Sequence, residues 1–242
     1  YPLVTGVQTC ALPICRAMKP STVRWSHSSL KDYEGCARRY QQVKVLQKYP
    51  FQETDATRYG TKVHEAIEFY IRDGKPLPAI YAKFQPIVDA LLQKPGRKFP
   101  EYEMALDKDL NICAWDAANA WVRGIADILI IDDDNLTAWV GDWKTGNNKY
   151  PDRDQLVLMS LMVFQHFPLI RRVNSALLFI VKEDMVKLQM LREQADAAWA
   201  KYRERISRLE ASFATDIWNP TASPLCRWCP VRQCEYHPEH LS

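Results

Sequence analysis

Three polar residues in two strand-like segments have the types and spacing that phosphodiester hydrolysis requires. Asp127 lies in the first segment, and Asp142 and Lys144 lie 15 and 17 residues further along the chain. Alternate side chains of a strand share a face, so Asp142 and Lys144 are expected to point the same way. Two carboxylates form a hard-oxygen site that suits Mg²⁺ or Mn²⁺, and a neighbouring lysine can serve a water or a pentacovalent phosphate. This set therefore predicts metal-dependent hydrolysis.

The two segments must pair if they are to bring the carboxylates together. Both are rich in β-branched and aromatic residues, and the turn-forming sequence DDDN at 132–135 separates them. We therefore expect an antiparallel hairpin that brings Asp127 near Asp142. The same D-x-K pattern also fits an ordinary strand that ends in a β-turn at 144–146, so the hydrolytic interpretation depends on the rest of the sequence.

A second group of metal-binding residues lies near the end of the sequence. Three thiols fall within nine residues, at Cys226, Cys229 and Cys234. A soft tetrahedral site requires a fourth ligand, and Cys36, far upstream, is the first candidate. The alternative is a local zinc site completed by His237 or His240. Crowded thiols favour a reducing compartment, so we expect a cytoplasmic protein.

The segments between these groups predict one α/β domain. Apolar periodicity predicts a helix from about Leu30, capped by Ser28 or Ser29, and further helices at 57–74, 78–92, 155–167 and 195–213. Val63, Ile67, Phe69 and Tyr70 are expected to form the apolar side of the second helix. Strands are predicted at 101–107, 121–132 and 136–146, with a strand pair at 175–191 that turns at 183–184. This order favours one mixed sheet flanked by helices.

Bulk properties agree with a single globular domain. The 242 residues suffice for one sizeable core, the hydrophobic fraction is 47%, and the net charge is +3. So small a charge does not by itself indicate a nucleic-acid partner, and no apolar run reaches the length of a membrane span. Residues 1–16, which contain Cys10 and Cys15, resemble translated sequencing adapter. We expect them to be an extraneous or disordered tail before a single domain at 17–242.

Four motifs in order resemble those of the RecB-like exonuclease branch of the PD-(D/E)XK nuclease superfamily. They begin at Gly60 (GTKVHE), Gly124 (GIAD), Gly141 (GDWKTG) and Gln155 (QL). Met159 departs from the pattern, because many members carry tyrosine there. The resemblance extends over about residues 25–236. It implies a restriction-endonuclease-like α/β core with a central mixed β-sheet flanked by helices.

The resemblance also implies roles for single residues. The implied metal ligands are His64, Asp127, Asp142 and the backbone carbonyl of Trp143. Lys144 would serve the nucleophilic water, and Gln155 would position the substrate or Lys144. Glu103, on the polar face of the strand at 101–107, is a further candidate for positioning the metal or the water. Gln155 and Glu103 are equally compatible with structural roles, and Glu68, on the helical face of His64, is expected to support the site.

The cysteine pattern resembles the iron–sulfur motif of AddB-type and CRISPR-associated RecB-like nucleases. That resemblance implies a [4Fe–4S] cluster bound by Cys36, Cys226, Cys229 and Cys234. Such a cluster would join the residues at about 25–40 to those at about 220–237 and would stabilise the fold as an iron–sulfur staple. A structural zinc ion remains the alternative, and Cys113 is expected to be a core thiol.

The predicted function is that of a metal-dependent DNA exonuclease. Candidate DNA contacts near the first helix are Arg38, Arg39, Tyr40 and Lys44, and the cysteine-bearing tail adds Arg227, Trp228 and Arg232. Single-stranded ends are a candidate substrate. The candidate setting is recombination, repair or end processing in a phage or prophage. A separate helicase or recombinase is a candidate partner. The alternative function is a catalytically silent DNA-binding module with a nuclease fold and a structural metal site.

Overall fold

The computed structural model describes residues 22–50, 52–147, 149 and 151–240, with the side chain of His240 excepted. The predicted tail at 1–16, with Cys10 and Cys15, lies outside these residues. The His240 side chain, a candidate ligand of the local zinc site, also lies outside the described part of the structure. In the described part of the chain, no helix combines the length and the apolar character needed to cross a membrane.

A five-stranded mixed sheet forms the centre of the fold. Its strands, in spatial as well as chain order, are β1 (Arg97–Leu106), β2 (Val122–Asp132), β3 (Thr137–Lys144), β4 (Arg172–Phe179) and β5 (Asp184–Leu191). Strands β3 and β4 pair in parallel, and the other neighbours are antiparallel. The predicted β2–β3 hairpin is confirmed. Its turn is held by Asp132, whose carboxylate accepts hydrogen bonds from the backbone and side chain of Asn135.

In the described residues, six α-helices surround this sheet. They are α1 (His27–Gly35), α2 (Ala37–Tyr40), α3 (Asp55–Asp73), α4 (Gln85–Leu92), α5 (Arg153–His166) and α6 (Ala195–Thr215). Helix α5 makes the crossover that parallel strands require, between β3 and β4. Its nearly continuous apolar sequence is explained by its burial, since all of its residues from Leu158 to Phe164 are buried. This crossover begins just after the end of β3, next to the predicted catalytic lysine.

The two largest apolar clusters of the described core lie on opposite faces of the sheet. Leu129 and Ile131 of β2 contribute to the cluster that contains α5 and α6, whereas Ile128 and Ile130 contribute to the cluster that contains α3 and α4. This alternation is the period-two geometry of a strand. Strand β2 is therefore covered on both faces, which explains its unbroken apolar run. Asp127 lies in the middle of this strand and is buried, so its carboxylate is held in a rigid, largely dry frame.

Three local predictions are corrected. Helix α1 begins at His27 because Ser26, rather than Ser28 or Ser29, provides the N-cap. The helix predicted at 78–92 is a 3₁₀ segment, Ala79–Phe84, followed by α4, because Pro86 starts a new helix at its first turn. Phe69 lies on the exposed side of α3, where the cations of Arg72 and Lys75 approach its ring at 5.0 and 4.5 Å.

Candidate active site

The two predicted metal-binding carboxylates meet where β2 and β3 separate. The β2–β3 ladder pairs Ile128 with Gly141, so Asp127 and Asp142 occupy the next register position. Both are buried, with exposed fractions of 8% and 7%. The Trp143 backbone N–H donates to Asp127 Oδ2 over 2.6 Å, which fixes that carboxylate against β3. The predicted approach of the two carboxylates is thus present, and it depends on the hairpin register.

Each oxygen of Asp142 lies close to one polar side chain. Lys144 Nζ lies 2.6 Å from Oδ2, and the side-chain amide of Gln155 donates to Oδ1 over 2.5 Å. Asp142 and Lys144 share a face of β3, as the strand geometry predicts. Gln155 reaches the same carboxylate from the first turn of α5. Burial, and then the neighbouring Asp127 charge, raise the pKa of Asp142.

Helix α3 adds His64 to this site. Its Nε2 donates to the Trp143 carbonyl oxygen over 2.9 Å, and its Nδ1 lies 3.4 Å from Asp127 Oδ2. Burial alone would lower the pKa of His64, but hydrogen bonding and attraction to Asp127, aided by Asp142, raise it above its ordinary value. In the metal-free protein the neighbouring carboxylates therefore favour the protonated imidazole.

Gly60 explains how α3 can come so close to the end of β3. A Cβ at this position would lie 3.2 Å from Thr145 Oγ1, tighter than an ordinary van der Waals contact. One helical turn later, His64 lies on the same face of the helix. The spacing of Gly60 and His64 thus has a packing reason: the small residue permits the approach that brings the imidazole to the Trp143 carbonyl.

Glu101 joins the site in place of the predicted Glu103. The β1–β2 register pairs Pro100 with Ile128 and Tyr102 with Ala126, so Glu101 faces Asp127. One potential ligand atom from each of His64, Glu101 and Asp127 lies within 4.8 Å of the others. Glu103, two residues along the same polar face, is exposed and outside this group. The alternation of side chains along β1 predicts the polar face that both residues share, but it cannot distinguish Glu101 from Glu103.

The environment of Glu101 is unusual in two ways. Its φ of 46° lies in the left-handed region, which non-glycine residues rarely adopt outside strained or functional positions. Burial, followed by repulsion from Asp127, raises the pKa of its carboxyl group to about 7. A carboxylate held beside another carboxylate is favoured when a cation lies between them.

A cavity of about 370 Å³ opens beside His64 and Glu101. Glu65 and Glu68 line it together with Gly60, Thr61, His64 and Glu101. Glu68 pairs with Arg72 over 2.5 Å, so its charge is already compensated. The carboxylate oxygens of Glu101 and Asp127 and the imidazole of His64 are ligand types that Mg²⁺ and Mn²⁺ accept. The donor chemistry of this corner thus fits a hard divalent cation.

A larger groove, of about 930 Å³, lies on the other side of Lys144. Its walls come from α1, from the start of α5 and from the cysteine-bearing tail. Gln155 and Lys144 line it near β3, and Cys36, Cys226 and Cys229 line it further away. The groove therefore runs between the Asp142 and Lys144 pair, here called the carboxylate–lysine group, and the tail cysteines together with Cys36, here called the cysteine group.

The four predicted cluster ligands line one small cavity of about 20 Å³. They are Cys36, Cys226, Cys229 and Cys234, and none of them forms a disulfide. The Thr221 backbone N–H donates to Cys36 Sγ over 3.5 Å, linking the two distant parts of the chain. Cys113 lies apart and is half-buried, so the prediction of a core thiol is only partly met. His237 also lines the cavity and is buried.

The predicted DNA contacts occupy different environments. Tyr40 is buried, with its ring packed against Tyr33 and Trp218, so it cannot stack on a base. Arg39 lines the groove and lies 3.5 Å from Asp32. Arg38 and Lys44 each approach an acidic side chain at 3.9 and 3.8 Å. The prediction of Tyr40 as a contact is wrong, because its ring packs into the core against Tyr33 and Trp218.

Comparisons with known proteins place this geometry in a wider context. A model of the PD-(D/E)XK nuclease superfamily matches residues 24–234. The fold resembles that of a "Putative exonuclease" from Eubacterium rectale, with a TM-score of 0.51 and 15% identity over 85% of this chain and 86% of that chain. It also matches the crystal structure of SSO0001, with a TM-score of 0.39 and 13% identity over 92% and 91% of the two chains. None of the curated proteins compared matches the sequence.

Proposed function

The chain belongs to the PD-(D/E)XK nuclease superfamily, and we propose on that basis that it is a metal-dependent deoxyribonuclease acting from strand ends. Its substrate as a nuclease is nucleic acid; the choice of DNA and of ends is part of the proposal. The observation that carries it is the convergence of His64, Glu101 and Asp127 beside the Asp142–Lys144 pair. The name of the Eubacterium rectale protein agrees with an exonuclease. Recombination, repair or end processing in the cytoplasm is the setting we propose.

The residues that would hold the metal have oxygen or imidazole donors and lie around the point where β2 and β3 separate. They are His64, Glu101, Asp127, Asp142 and the carbonyl of Trp143. A divalent cation in this position supplies Lewis-acid polarisation of the phosphate and a more acidic water. Burial, followed by repulsion from Asp127, raises the pKa values of Glu101 and Asp142, and a cation held between these carboxylates would relieve the repulsion.

Lys144 and Gln155 complete the chemistry. The Lys144 ammonium, 2.6 Å from Asp142, can orient the attacking water and offset the charge that develops on the pentacovalent phosphate. Gln155 restrains Asp142 through its amide, and it lines the groove through which a strand would approach. Lys144 therefore acts on the water and the phosphate, whereas Gln155 holds the carboxylate in place.

The test compares variants on end-labelled and circular DNA, single- and double-stranded, with RNA alongside. Wild type should require Mg²⁺ or Mn²⁺ and should degrade linear DNA while sparing circles. Asp142→Asn and Lys144→Met should lose activity, and Asp109→Asn, an exposed carboxylate on a distant turn, should keep it. Equal activity in all three variants would refute the active-site assignment. Cleavage of circles would replace the exonuclease with an endonuclease.

We also propose that the four-cysteine cavity holds a [4Fe–4S] cluster. Four thiols free of disulfides line one space, and backbone N–H groups of Arg39 and Thr221 point at Cys36 Sγ over 3.4 and 3.5 Å. N–H donors of this kind stabilise thiolate sulfur and tune iron–sulfur clusters. The donor set, all soft thiolates, fits the cluster.

Sulfur spacing favours iron over zinc. Zinc–sulfur bonds of about 2.3 Å in a tetrahedron would hold the sulfurs about 3.8 Å apart. In the described part of the chain, no three cysteine sulfurs lie within 4.8 Å of one another. A four-iron cluster holds its sulfurs further apart than a single zinc ion does, so this wider arrangement needs less rearrangement to bind it.

Metal analysis after anaerobic purification distinguishes these alternatives. We expect about four irons and four sulfides per chain, a loss of both in Cys36→Ala, and their retention in Cys113→Ala. Stoichiometric zinc without iron would refute the cluster and leave the nuclease assignment intact.

A further inference from the structure

A short 3₁₀ segment of the tail presents two large apolar side chains to solvent. Within Pro224–Trp228, the exposed fractions of Leu225 and Trp228 are 71% and 70%. Most of this protein's tryptophans are buried or half-buried. The exposed indole of Trp228 is an exception, and together with Leu225 it forms an apolar surface that indicates a binding partner. The guanidinium of Arg227 lies 5.2 Å from the ring centroid of Trp228, which adds a positive charge beside the aromatic face.

This segment forms one wall of the groove that contains Lys144. Leu225 and Trp228 line the same 930 Å³ space as Lys144 and Gln155. A polymer lying along the groove would therefore meet the carboxylate–lysine group at one point and the exposed indole at another. Both contacts would involve the same bound strand.

The charges of the groove favour a stacking interaction over phosphate attraction. Its acidic side chains each have a basic partner: Asp152 lies 2.5 Å from Lys31, Asp32 lies 3.5 Å from Arg39, and the third acid, Glu34, binds Arg205. The wall away from Lys144 is thus close to electrically balanced. Such a wall attracts phosphates weakly, so aromatic contact must contribute substantially to strand binding.

We propose that Trp228 is a stacking platform for an unpaired base of the strand whose scissile phosphate lies at Lys144. This inference rests on the proposed nuclease function and specifies its substrate as a single-stranded segment, because the faces of bases are accessible only when the bases are unpaired. Every base has an aromatic face, so the platform holds the strand without selecting its sequence. Trp228 is a binding residue here, and the hydrolytic chemistry stays with the carboxylate–lysine group.

The position of Trp228 in the sequence gives the platform its rigidity. It lies between Cys226 and Cys229, and the Cys229 backbone N–H donates to the Cys226 carbonyl over 3.1 Å. Ligands on both sides would fix the turn, so the indole would remain presented at little entropic cost. A role in strand binding thus follows for the cysteine-bearing tail itself.

The test measures binding of fluorescein-labelled oligothymidylate in chelator, with cluster-loaded protein. Trp228→Ala should weaken binding roughly 5- to 150-fold, the usual effect of removing one aromatic–base stack, and Trp228→Phe should restore most of it. Ile217→Ala, an exposed apolar residue outside the groove, is the matched control. Turnover should show a raised KM with kcat nearly unchanged, and hydrolysis of bis(p-nitrophenyl) phosphate, which is too small to reach the platform, should be unaffected.

A second measurement varies the DNA and compares the same two proteins, wild type and Trp228→Ala. Single abasic sites are moved along the oligonucleotide, and one position should weaken wild-type binding while leaving Trp228→Ala binding unchanged. The proposal is overturned if no abasic position matters, if Trp228→Ala binds as wild type does, or if duplex binding falls equally. Wild type that binds single strands but cleaves neither DNA nor the small diester would instead refute the proposed function.

Discussion

His64 Nε2 lies 2.9 Å from the carbonyl oxygen of Trp143, the residue between Asp142 and Lys144. Helix α3 thus contacts the backbone at the centre of the strand motif. The imidazole and the carbonyl lie side by side as two potential metal ligands. Their approach depends on Gly60, where a larger side chain would press against Thr145. The geometry of the site is therefore set by packing between α3 and β3.

His64→Ala should weaken Mn²⁺ binding. Supporting residues of metal sites typically contribute 10- to 100-fold in affinity, so loss of a direct ligand should cost roughly that factor or more. Isothermal titration with Mn²⁺ measures the change, and Lys62→Ala, on the exposed side of the same helix, is the control. Unchanged affinity in His64→Ala would remove this residue from the ligand set.

Glu101→Gln should stabilise the metal-free protein at pH 8. The carboxyl pKa is about 7 in the folded state and near 4.5 when unfolded. A raised folded-state pKa contributes stability that is fully present below pH 4.5 and is lost as the pH rises through 7. Glutamine does not titrate, so the Tm of Glu101→Gln in chelator should exceed that of wild type at pH 8 and the difference should shrink by pH 5.

The same variant should respond less to metal. Mn²⁺ should raise the Tm of wild type at pH 8 and should raise that of Glu101→Gln by less, because a ligand is missing. Glu103→Gln, exposed on the same strand, should behave as wild type in both solutions. Identical behaviour of the two variants would contradict the assignment of Glu101.

Lys144→Met should separate chemistry from metal binding. If the ammonium serves the water and the phosphate, kcat should fall by about 10²- to 10⁴-fold, while Mn²⁺ affinity should remain within a few-fold of wild type. Lys144→Arg retains the charge but changes its shape, so it should recover only part of the rate. A Lys144→Met enzyme with normal kcat would show that this lysine only balances the charge of Asp142.

Tyr40→Ala should lower the free energy of unfolding by about 3–5 kcal/mol, since a buried aromatic ring is lost from the core. The ring packs against Tyr33 and Trp218, which join α1 to the segment after α6. Tyr40→Phe keeps the ring and loses only the hydroxyl's hydrogen bond with Ser29, so it should cost much less. Leu46→Ala, on the exposed surface nearby, should be nearly neutral. Urea unfolding curves give the values, and full stability of Tyr40→Ala together with weaker DNA binding would return Tyr40 to the DNA-contact surface.

The sequence by itself determined the local architecture and the main strand motif. The apolar run of β2, the DDDN turn and the alternation of Asp142 with Lys144 are local patterns, and strand geometry converts them directly into a hairpin with two carboxylates at its open end. The resemblance to RecB-like nucleases added His64 to the predicted metal ligands and the four cysteines as predicted cluster ligands.

Only the tertiary structure decided which residues complete the site. Glu101 and Glu103 share a face of β1, and a period of two cannot separate them; the register that sets Glu101 opposite Asp127 does. Tyr40 is buried because Trp218, remote in sequence, packs against its ring together with Tyr33. The groove from Lys144 to Trp228 joins residues more than 80 positions apart. Such relationships arise from packing between elements, for which the sequence carries no local signal.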